Sequence, residues 1–272
     1  MCPNCRAFIE PNDRVCPYCE VKIGPRAVDV RNPGEVLGGL IPAARFTTMM
    51  ILLVNIALYI ATAIVSMQKG TGGGVTDIDA RTLYDFGAKL SDSVLAGQWW
   101  RLVTAGFLHG GLLHILMNSW VLFDLGAQVE EMFGAARLLV FYFVSSVGGF
   151  LASTWWSDSL SVGASAGVFG LIGAMISIGV RDNSSLGSAI RGLYIRWAIY
   201  GLLFGLLPGL AIDNAAHIGG LVAGFGMAYV AREPKLTDTF MEKVWRMGAV
   251  LSVLATAVCF FLVAWRMVLL NR

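Results

Sequence analysis

The chain of 272 residues is 56% hydrophobic and only 14% charged, and its mean hydropathy is +0.68. These values exclude an ordinary soluble globular domain and indicate that a lipid bilayer is the solvent of most of the chain. The formal net charge of +2, with no basic stretch interleaved with aromatic residues, argues against a nucleic-acid partner.

Four of the five cysteines form two CxxC motifs near the N-terminus: Cys2, Cys5, Cys16 and Cys19. Two tight turns at this spacing can present four thiolates tetrahedrally to one Zn²⁺, in a closed site with no open position for catalysis. The alternative, a pair of disulfides, requires an oxidising compartment. We therefore expect residues 1–26 to form a small zinc-ribbon-like head with a structural metal, whose partner the sequence does not identify. Residues 27–45 are predicted to be a linker, and residues 46–272 a membrane domain.

Seven stretches without Asp, Glu, Lys or Arg are long enough, or nearly so, to cross a hydrocarbon layer about 30 Å thick as helices. They run over residues 46–67, 102–123, 138–157, 159–180, 197–212, 214–231 and 247–265. The fifth is the shortest, but Arg191 and Arg196 just before it can snorkel to the interface while the helix extends past them. If the N-terminus is cytoplasmic, most of the 20 Lys and Arg residues fall on the inner side, as the positive-inside rule requires. The sequence thus predicts an all-α polytopic membrane protein.

All three histidines lie inside or at the edge of these apolar stretches, where polar residues are functional suspects. In the predicted helices, Ser165 lies about 9 Å and His217 about 5 Å below the outer ends of their stretches, depths that allow contact between them. His114 and Asn118 are four residues apart and share a helical face. His109 is expected to point about 140° away from His114 if one helix carries both.

The segment around Ser165 reads Gly-Ala-Ser-Ala-Gly, which also fits the GxSxG nucleophile elbow of soluble hydrolases. An elbow needs a buried strand before the serine, whereas residues 155–161 have the composition of an interfacial loop. We expect Ser165 to lie at the start of a membrane helix, where free N–H groups and the helix dipole favour an oxyanion. The simpler alternative is packing, because serine in a Gly-Ala-rich membrane helix usually bonds its own backbone. Glycines in the fourth and sixth stretches predict close approach of those two helices.

Four spaced motifs resemble those of the rhomboid family, in the order in which that family has them. They are Trp100-Arg101, the HxxxxHxxxN pattern from His109 to Asn118, the Gly-Ala-Ser at 163–165, and Asn-Ala-Ala-His-Ile-Gly-Gly at 214–220. The resemblance covers the chain from about residue 45 onward. It implies a rhomboid-like six-helix core, with the seventh stretch as an extra C-terminal transmembrane helix.

The resemblance also implies a role for each matching residue. Ser165 would be the nucleophile and His217 the general base, while His114, Asn118 and the Ser165 N–H would form the oxyanion hole. Phe169 would lie under the histidine ring, and Gly163 would bind substrate or pack beside the Ser-His dyad. Ala166 departs from the family, which often has glycine directly after the serine.

The expected function is therefore that of a serine-type endopeptidase, a rhomboid protease that cleaves transmembrane substrate proteins near the outer face without a catalytic cofactor. We expect a multi-pass protein of a bacterial inner membrane, with the lipid bilayer and its substrates as partners. A non-catalytic relative that binds or escorts membrane clients is an alternative, although such a relative is expected to lack the serine or the histidine. A proton-relay transporter using His114 and His217 is another, but it would need ionisable partners, and the seven stretches carry no carboxylate.

Overall fold

The computed structural model describes residues 15–22, 45–70, 74–207, 211–231 and 240–270. Apart from residues 15–22 and the connecting loops, these ranges are helical. The helices are α1 (Phe46–Lys69), α2 (Ala80–Asp85), α3 (Ser91–Leu95), α4 (Arg101–Thr104), a 3-10 turn (Ala105–Phe107), α5 (Leu112–Phe133), α6 (Ala135–Trp156), α7 (Ser165–Arg181), α8 (Ser185–Phe204), α9 (Asn214–Val230) and α10 (Phe240–Leu270).

Within the described residues, four helices are long and apolar enough to cross a membrane: α1, α5, α6 and α10. Helix α7 is apolar but shorter. The chain is thus an all-α, multi-pass integral membrane protein. Of the predicted zinc head, Cys2 and Cys5 lie outside the described residues, so the zinc ribbon and the limits at residues 26 and 45 remain predictions.

The second helix of the predicted set was placed too early in the sequence. We predicted residues 102–123, whereas α5 runs from Leu112 to Phe133. The residues around Arg101 form α4 and the 3-10 turn instead, and Arg101 is only 2% exposed. Its guanidinium donates to the carbonyl oxygens of Tyr84 and Ala88 at 2.8 and 2.7 Å, which compensates its burial and ties α4 to α2 and to the loop that follows α2.

Because α5 lies later in the chain, it contains carboxylates that the predicted stretch lacked, among them Glu130. The expectation of spans without carboxylates was therefore wrong. The Glu130 side chain accepts hydrogen bonds from the backbone N–H groups of Thr47 and Thr48 at 3.0 and 2.9 Å, at the N-terminus of α1. A carboxylate in this position satisfies free N–H groups and the positive end of the helix dipole. Glu130 is thus a structural cap, and its contacts do not favour a proton relay.

Helix α8 also differs from its prediction, since it spans Ser185–Phe204 where residues 197–212 were expected. Ser184 caps its start by accepting a hydrogen bond from Gly187 N at 3.1 Å. Arg191 and Arg196 both lie within the helix and are exposed. The helix therefore does extend past the two arginines, as expected, but it does so by starting earlier.

Helix α7 is almost wholly buried and packs against α5, α6, α8 and α9. Its contact with α9 is close enough that only glycine fits at the crossing. A Cβ atom on Gly220 would lie 2.1 Å from the carbonyl oxygen of Ala166, and one on Gly224 would lie 2.0 Å from that of Gly170. The predicted close approach of these two helices is confirmed, and it brings the Ser165 and His217 segments together.

The last helix, α10, packs against α6 and α4. At its start, Glu242 forms a bidentate ion pair with Arg137 of α6, with N–O distances of 2.8 and 2.7 Å. Further along, the Phe260 ring meets Phe107 of the 3-10 turn edge-on, at 5.9 Å between centroids. The seventh predicted span therefore supports the turn that precedes α5.

Candidate active site

Ser165 is the first residue of α7 and follows an extended loop that is held on both sides. Ser161 in that loop exchanges two backbone hydrogen bonds with Lys89, at 3.0 and 2.9 Å, and Gly163 N donates to the carbonyl of Ala105 at 3.0 Å. The helix does not start at residue 159, so the predicted depth of about 9 Å for Ser165 was measured from a wrong origin. The serine is at the helix N-terminus itself, where backbone N–H groups have no intrahelical partner.

The His217 imidazole packs against the serine-bearing face of α7. It is 6% exposed and stacks on Phe169, with centroids 4.1 Å apart and planes at 12°. Ser165 and Phe169 are four residues apart on α7 and therefore share one face. Among the described residues no hydrogen bond joins the Ser165 hydroxyl to His217, and Nδ1 of His217 has no partner there. Such bonds are often long in the absence of substrate and tighten when it binds.

His114 approaches the same serine from another side, across Gly163. Gly163 has φ +136°, and a Cβ atom built on it would lie 2.7 Å from His114 Nε2 and 3.4 Å from Ser165 Oγ. The His114 Nδ1 atom accepts a hydrogen bond from Gly110 N at 3.4 Å. A neutral imidazole that accepts at Nδ1 carries its proton on Nε2. His114 is thus arranged to donate towards the space beside Ser165.

Asn118 shares the face of α5 on which His114 lies, as the four-residue spacing predicts. It is 9% exposed, and its amide nitrogen donates to the His114 carbonyl oxygen at 3.0 Å. One N–H of the amide therefore bonds its own helix, and the second N–H remains available to donate to another acceptor.

The prediction that His109 points away from His114 was wrong. Helix α5 begins at Leu112, so His109 lies in the loop before it and the helical angle does not apply. Its ring meets His114 edge-on, with centroids 5.2 Å apart, and its Nε2 accepts a hydrogen bond from Ala164 N at 3.5 Å. His109 is fully buried and connects the start of α5 to the residue before Ser165.

Three residues around this site received no role from the sequence: Lys89, Ser153 and Asp213, although Asp213 was considered as a third catalytic member and not assigned. Asp213 caps α9 by accepting a hydrogen bond from Ala216 N at 3.0 Å, and it also accepts one from the Ser153 hydroxyl. An aspartate directly before an apolar helical stretch is a recognised helix-start signal, which could have identified this cap. No comparable signal marks Lys89, whose partners lie far away in the sequence.

These features define a class of protein: a multi-pass helical membrane protein in which a helix-opening serine shares a buried face with a histidine. The Rhomboid domain matches residues 96–234, which is half of the chain. The chain therefore belongs to the rhomboid family.

Curated relatives agree with this assignment. The chain is 37% identical over 163 residues to "Rhomboid protease GluP" of Bacillus subtilis (strain 168), covering 60% of this chain and 32% of that protein. It is 37% identical over 155 residues to "RHOMBOID-like protein 6, mitochondrial" of Arabidopsis thaliana, covering 55% and 49%. It is 34% identical over 186 residues to "Rhomboid-like protease 2" of Toxoplasma gondii, covering 65% and 62%. The chain thus spans from about a third to somewhat under two thirds of the length of these relatives.

Proposed function

We propose that this protein is an intramembrane serine endopeptidase that cleaves transmembrane substrate proteins with a Ser165–His217 dyad. The observation that carries the proposal is the stacking of His217 on Phe169, because it holds a base on the helical face of Ser165. Two of the relatives, from B. subtilis and T. gondii, are named as proteases, which supports the same reaction class.

In this mechanism His217 Nε2 takes the Ser165 hydroxyl proton while Oγ attacks the scissile carbonyl carbon. The resulting oxyanion is stabilised by donors that are in place before the reaction, which is where such sites gain most of their rate. The Nε2–H of His114 and the backbone N–H of Ser165 supply two donors, and the second N–H of the Asn118 amide supplies a third. His217 then returns the proton to the leaving amine, and the Ser165 acyl ester remains. Water, deprotonated by His217, hydrolyses that ester and regenerates the serine.

The alternative is a non-catalytic member of the family that binds or escorts membrane clients. The observation in its favour is that, in the part of the chain described by the structure, Ser165 and His217 are not hydrogen-bonded. A fluorophosphonate probe separates the two functions, because it reacts only with an activated serine. We expect purified protein in detergent to be labelled at Ser165 and to cleave a single-span substrate. Labelling should be lost in both Ser165→Ala and His217→Ala. Full cleavage by Ser165→Ala would disprove the mechanism.

We further propose that Cys2, Cys5, Cys16 and Cys19 bind one structural Zn²⁺, while catalysis uses no cofactor. Support comes from residues 15–22, where Val15 and Lys22 pair and Glu20 adopts φ +57°. The turn is closed by two backbone bonds of 2.9 Å, from Cys16 N to Val21 O and from Glu20 N to Cys16 O. This tight turn keeps Cys16 and Cys19 close together, as half of a four-cysteine zinc site requires.

We also propose that the N-terminus is cytoplasmic and that the protein resides in a bacterial inner membrane. The support for the orientation is the distribution of Lys and Arg between the predicted sides. The plant mitochondrial relative shows that the family is not confined to bacteria. Protease protection of the N-terminal head in inverted membrane vesicles tests the orientation, because a cytoplasmic head is digested there.

A further inference from the structure

Lys89 is among the largest side chains in the described structure that are fully buried. It lies in the loop between α2 and α3, outside the membrane-spanning helices. Burial lowers the pKa of its ammonium group, and the negative charges of Asp213 and Asp158 oppose that shift. A lysine is almost never wholly buried unless partners compensate it, so its contacts call for an explanation.

The ammonium group of Lys89 is bound at the C-terminal end of α6. It donates to the carbonyl oxygen of Ser153 at 3.0 Å and also to that of Ser157. The Ser91 hydroxyl donates to the same Ser157 carbonyl at 2.8 Å. The last carbonyls of a helix have no intrahelical partner and form the negative end of its dipole, so a cation there is favourable.

Lys89 and Ser153 are connected to the segments that carry the two members of the proposed dyad. Through its backbone, Lys89 pairs with Ser161, four residues before Ser165. On the other side, the Ser153 hydroxyl donates to the Asp213 carboxylate. Asp213 caps α9, and its carbonyl oxygen accepts the backbone N–H of His217 at 3.1 Å.

We propose that Lys89, Ser153 and Asp213 form a positioning network that sets the start of α9, and hence His217, relative to the loop that carries Ser165. Lys89 supplies the positive charge that compensates the Asp213 carboxylate, and Ser153 joins the two elements by a hydrogen bond. None of the three touches substrate in this scheme. The network acts by holding the base and the nucleophile in register across three separate elements of the chain.

This inference rests on the proposed function, and two measurements keep the two apart. The first is the rate constant of fluorophosphonate labelling of Ser165, determined for the full chain in detergent. The second is the thermal unfolding midpoint, which needs no activity. Each is measured in Lys89→Met, Asp213→Asn and the double variant. Met preserves most of the lysine volume, and Asn preserves the helix cap.

We expect each single variant to slow labelling by about tenfold to 100-fold, because a misplacement of about 1 Å can cost about 10² in rate. The labelled fraction at the end of the reaction should stay complete, and KM for a substrate should stay unchanged while kcat falls. A purely structural role would instead lower the labelled fraction.

Members of one network act together, so labelling of the double variant should be no slower than labelling of the slower single variant. In unfolding, the double variant should be more stable than Lys89→Met, which leaves a carboxylate without its cation.

A matched control is available between the ends of α1 and α2. Lys69 and Asp85 form an ion pair at 3.0 Å, but both side chains are partly exposed. Lys69→Met and Asp85→Asn remove the same charges and should leave labelling and kcat close to wild type, because exposed pairs contribute little.

The inference would be overturned if Lys89→Met were labelled at the wild-type rate. It would also be overturned if the loss of labelling rate in the double variant were the product of the losses in the two single variants. If Lys89→Met does not fold, Ser153→Ala decides, since it breaks the link without unpairing a charge. It should slow labelling, and a wild-type rate would again overturn the network. An unlabelled wild-type protein would instead refute the proposed function. In that case the unfolding midpoints decide on the coupling between Lys89 and Asp213. If the shift of the midpoint in the double variant equals the sum of the shifts in the single variants, the coupling is refuted, and if it differs from that sum, the coupling is established.

Discussion

The imidazole of His217 lies flat on the phenyl ring of Phe169, with centroids 4.1 Å apart and only 12° between the planes. This contact sets the plane of the imidazole and leaves its nitrogen atoms at the edge of the pair. Phe169 is one helical turn from Ser165, so the same contact determines which helix face the base can serve. The orientation of the proposed base thus depends on a side chain that takes no part in proton transfer.

Replacing Phe169 with leucine should keep the apolar volume but lose the flat ring contact. Aromatic pairs contribute about 0.5–1.5 kcal/mol beyond their buried area, so we expect the labelling rate of Ser165 to fall roughly two- to tenfold. Phe225→Leu is the control, because it removes another stacked pair, Phe225 with Tyr229, on α9. An equal loss of rate in both variants would mean that stacking on His217 has no special role.

Removing the Asn118 amide should leave a slow but measurable enzyme. Loss of one oxyanion donor typically costs on the order of 10² to 10³ in rate, whereas loss of the nucleophile costs far more. In Asn118→Ala we therefore expect kcat to fall by about that factor, while Ser165 remains reactive to the fluorophosphonate. An unchanged kcat would show that the Asn118 amide does not donate to the oxyanion.

His109 should matter more for stability than for the chemical step. Its ring is fully buried, and His109→Ala leaves a cavity beside His114 and removes the acceptor for Ala164 N. We expect a lower unfolding midpoint but a smaller loss of kcat than in Asn118→Ala. A loss as large as that of Asn118→Ala, at unchanged stability, would show that the oxyanion donors have been assigned to the wrong residues.

Gly163→Ala should impair catalysis by displacing the His114 ring. Its φ of +136° strains any side chain, and the new Cβ would lie 2.7 Å from His114 Nε2. Gly97→Ala separates the two effects, because Gly97 also has a positive φ, +95°, but a Cβ there meets nothing within 4 Å. We expect Gly97→Ala to reduce stability alone and Gly163→Ala to reduce kcat as well. Equal kcat values in the two variants would refute the steric contact.

The N-terminal head should bind one zinc ion and should be dispensable for the chemistry. Metal analysis of the full chain should find about one equivalent, and Cys16→Ser should lower it, because a structural site needs all its thiolates. Deleting residues 1–26 should spare proteolysis in detergent. Zinc well below about half an equivalent in carefully prepared protein would contradict the four-cysteine site.

Hydropathy was sufficient to predict a multi-pass helical membrane protein, because an apolar segment in a bilayer must satisfy its backbone hydrogen bonds internally. Helix α6 begins three residues before its predicted start and ends one residue before its predicted end. The spacing of His114 and Asn118 likewise predicted that they share a helical face, and the glycines predicted the close crossing of the helices that carry Ser165 and His217. That these four side chains form one active site stays a prediction.

Charged residues predicted the ends of the helices less well, and only the tertiary structure decided where those helices begin and end. Arg101 stands directly before an apolar run in the sequence, yet in the structure a short helix and a turn follow it, and its guanidinium is bound by the carbonyl oxygens of Tyr84 and Ala88. The place of His109 depends on the same boundary, because a residue outside the helix no longer obeys helical angles. Lys89 and Asp213 are 124 positions apart in the sequence, and neither has a local pattern that reveals the other. Their relation exists only in the folded chain, where Ser153 of α6 connects them: its carbonyl oxygen accepts a hydrogen bond from the Lys89 ammonium group, and its hydroxyl donates to the Asp213 carboxylate.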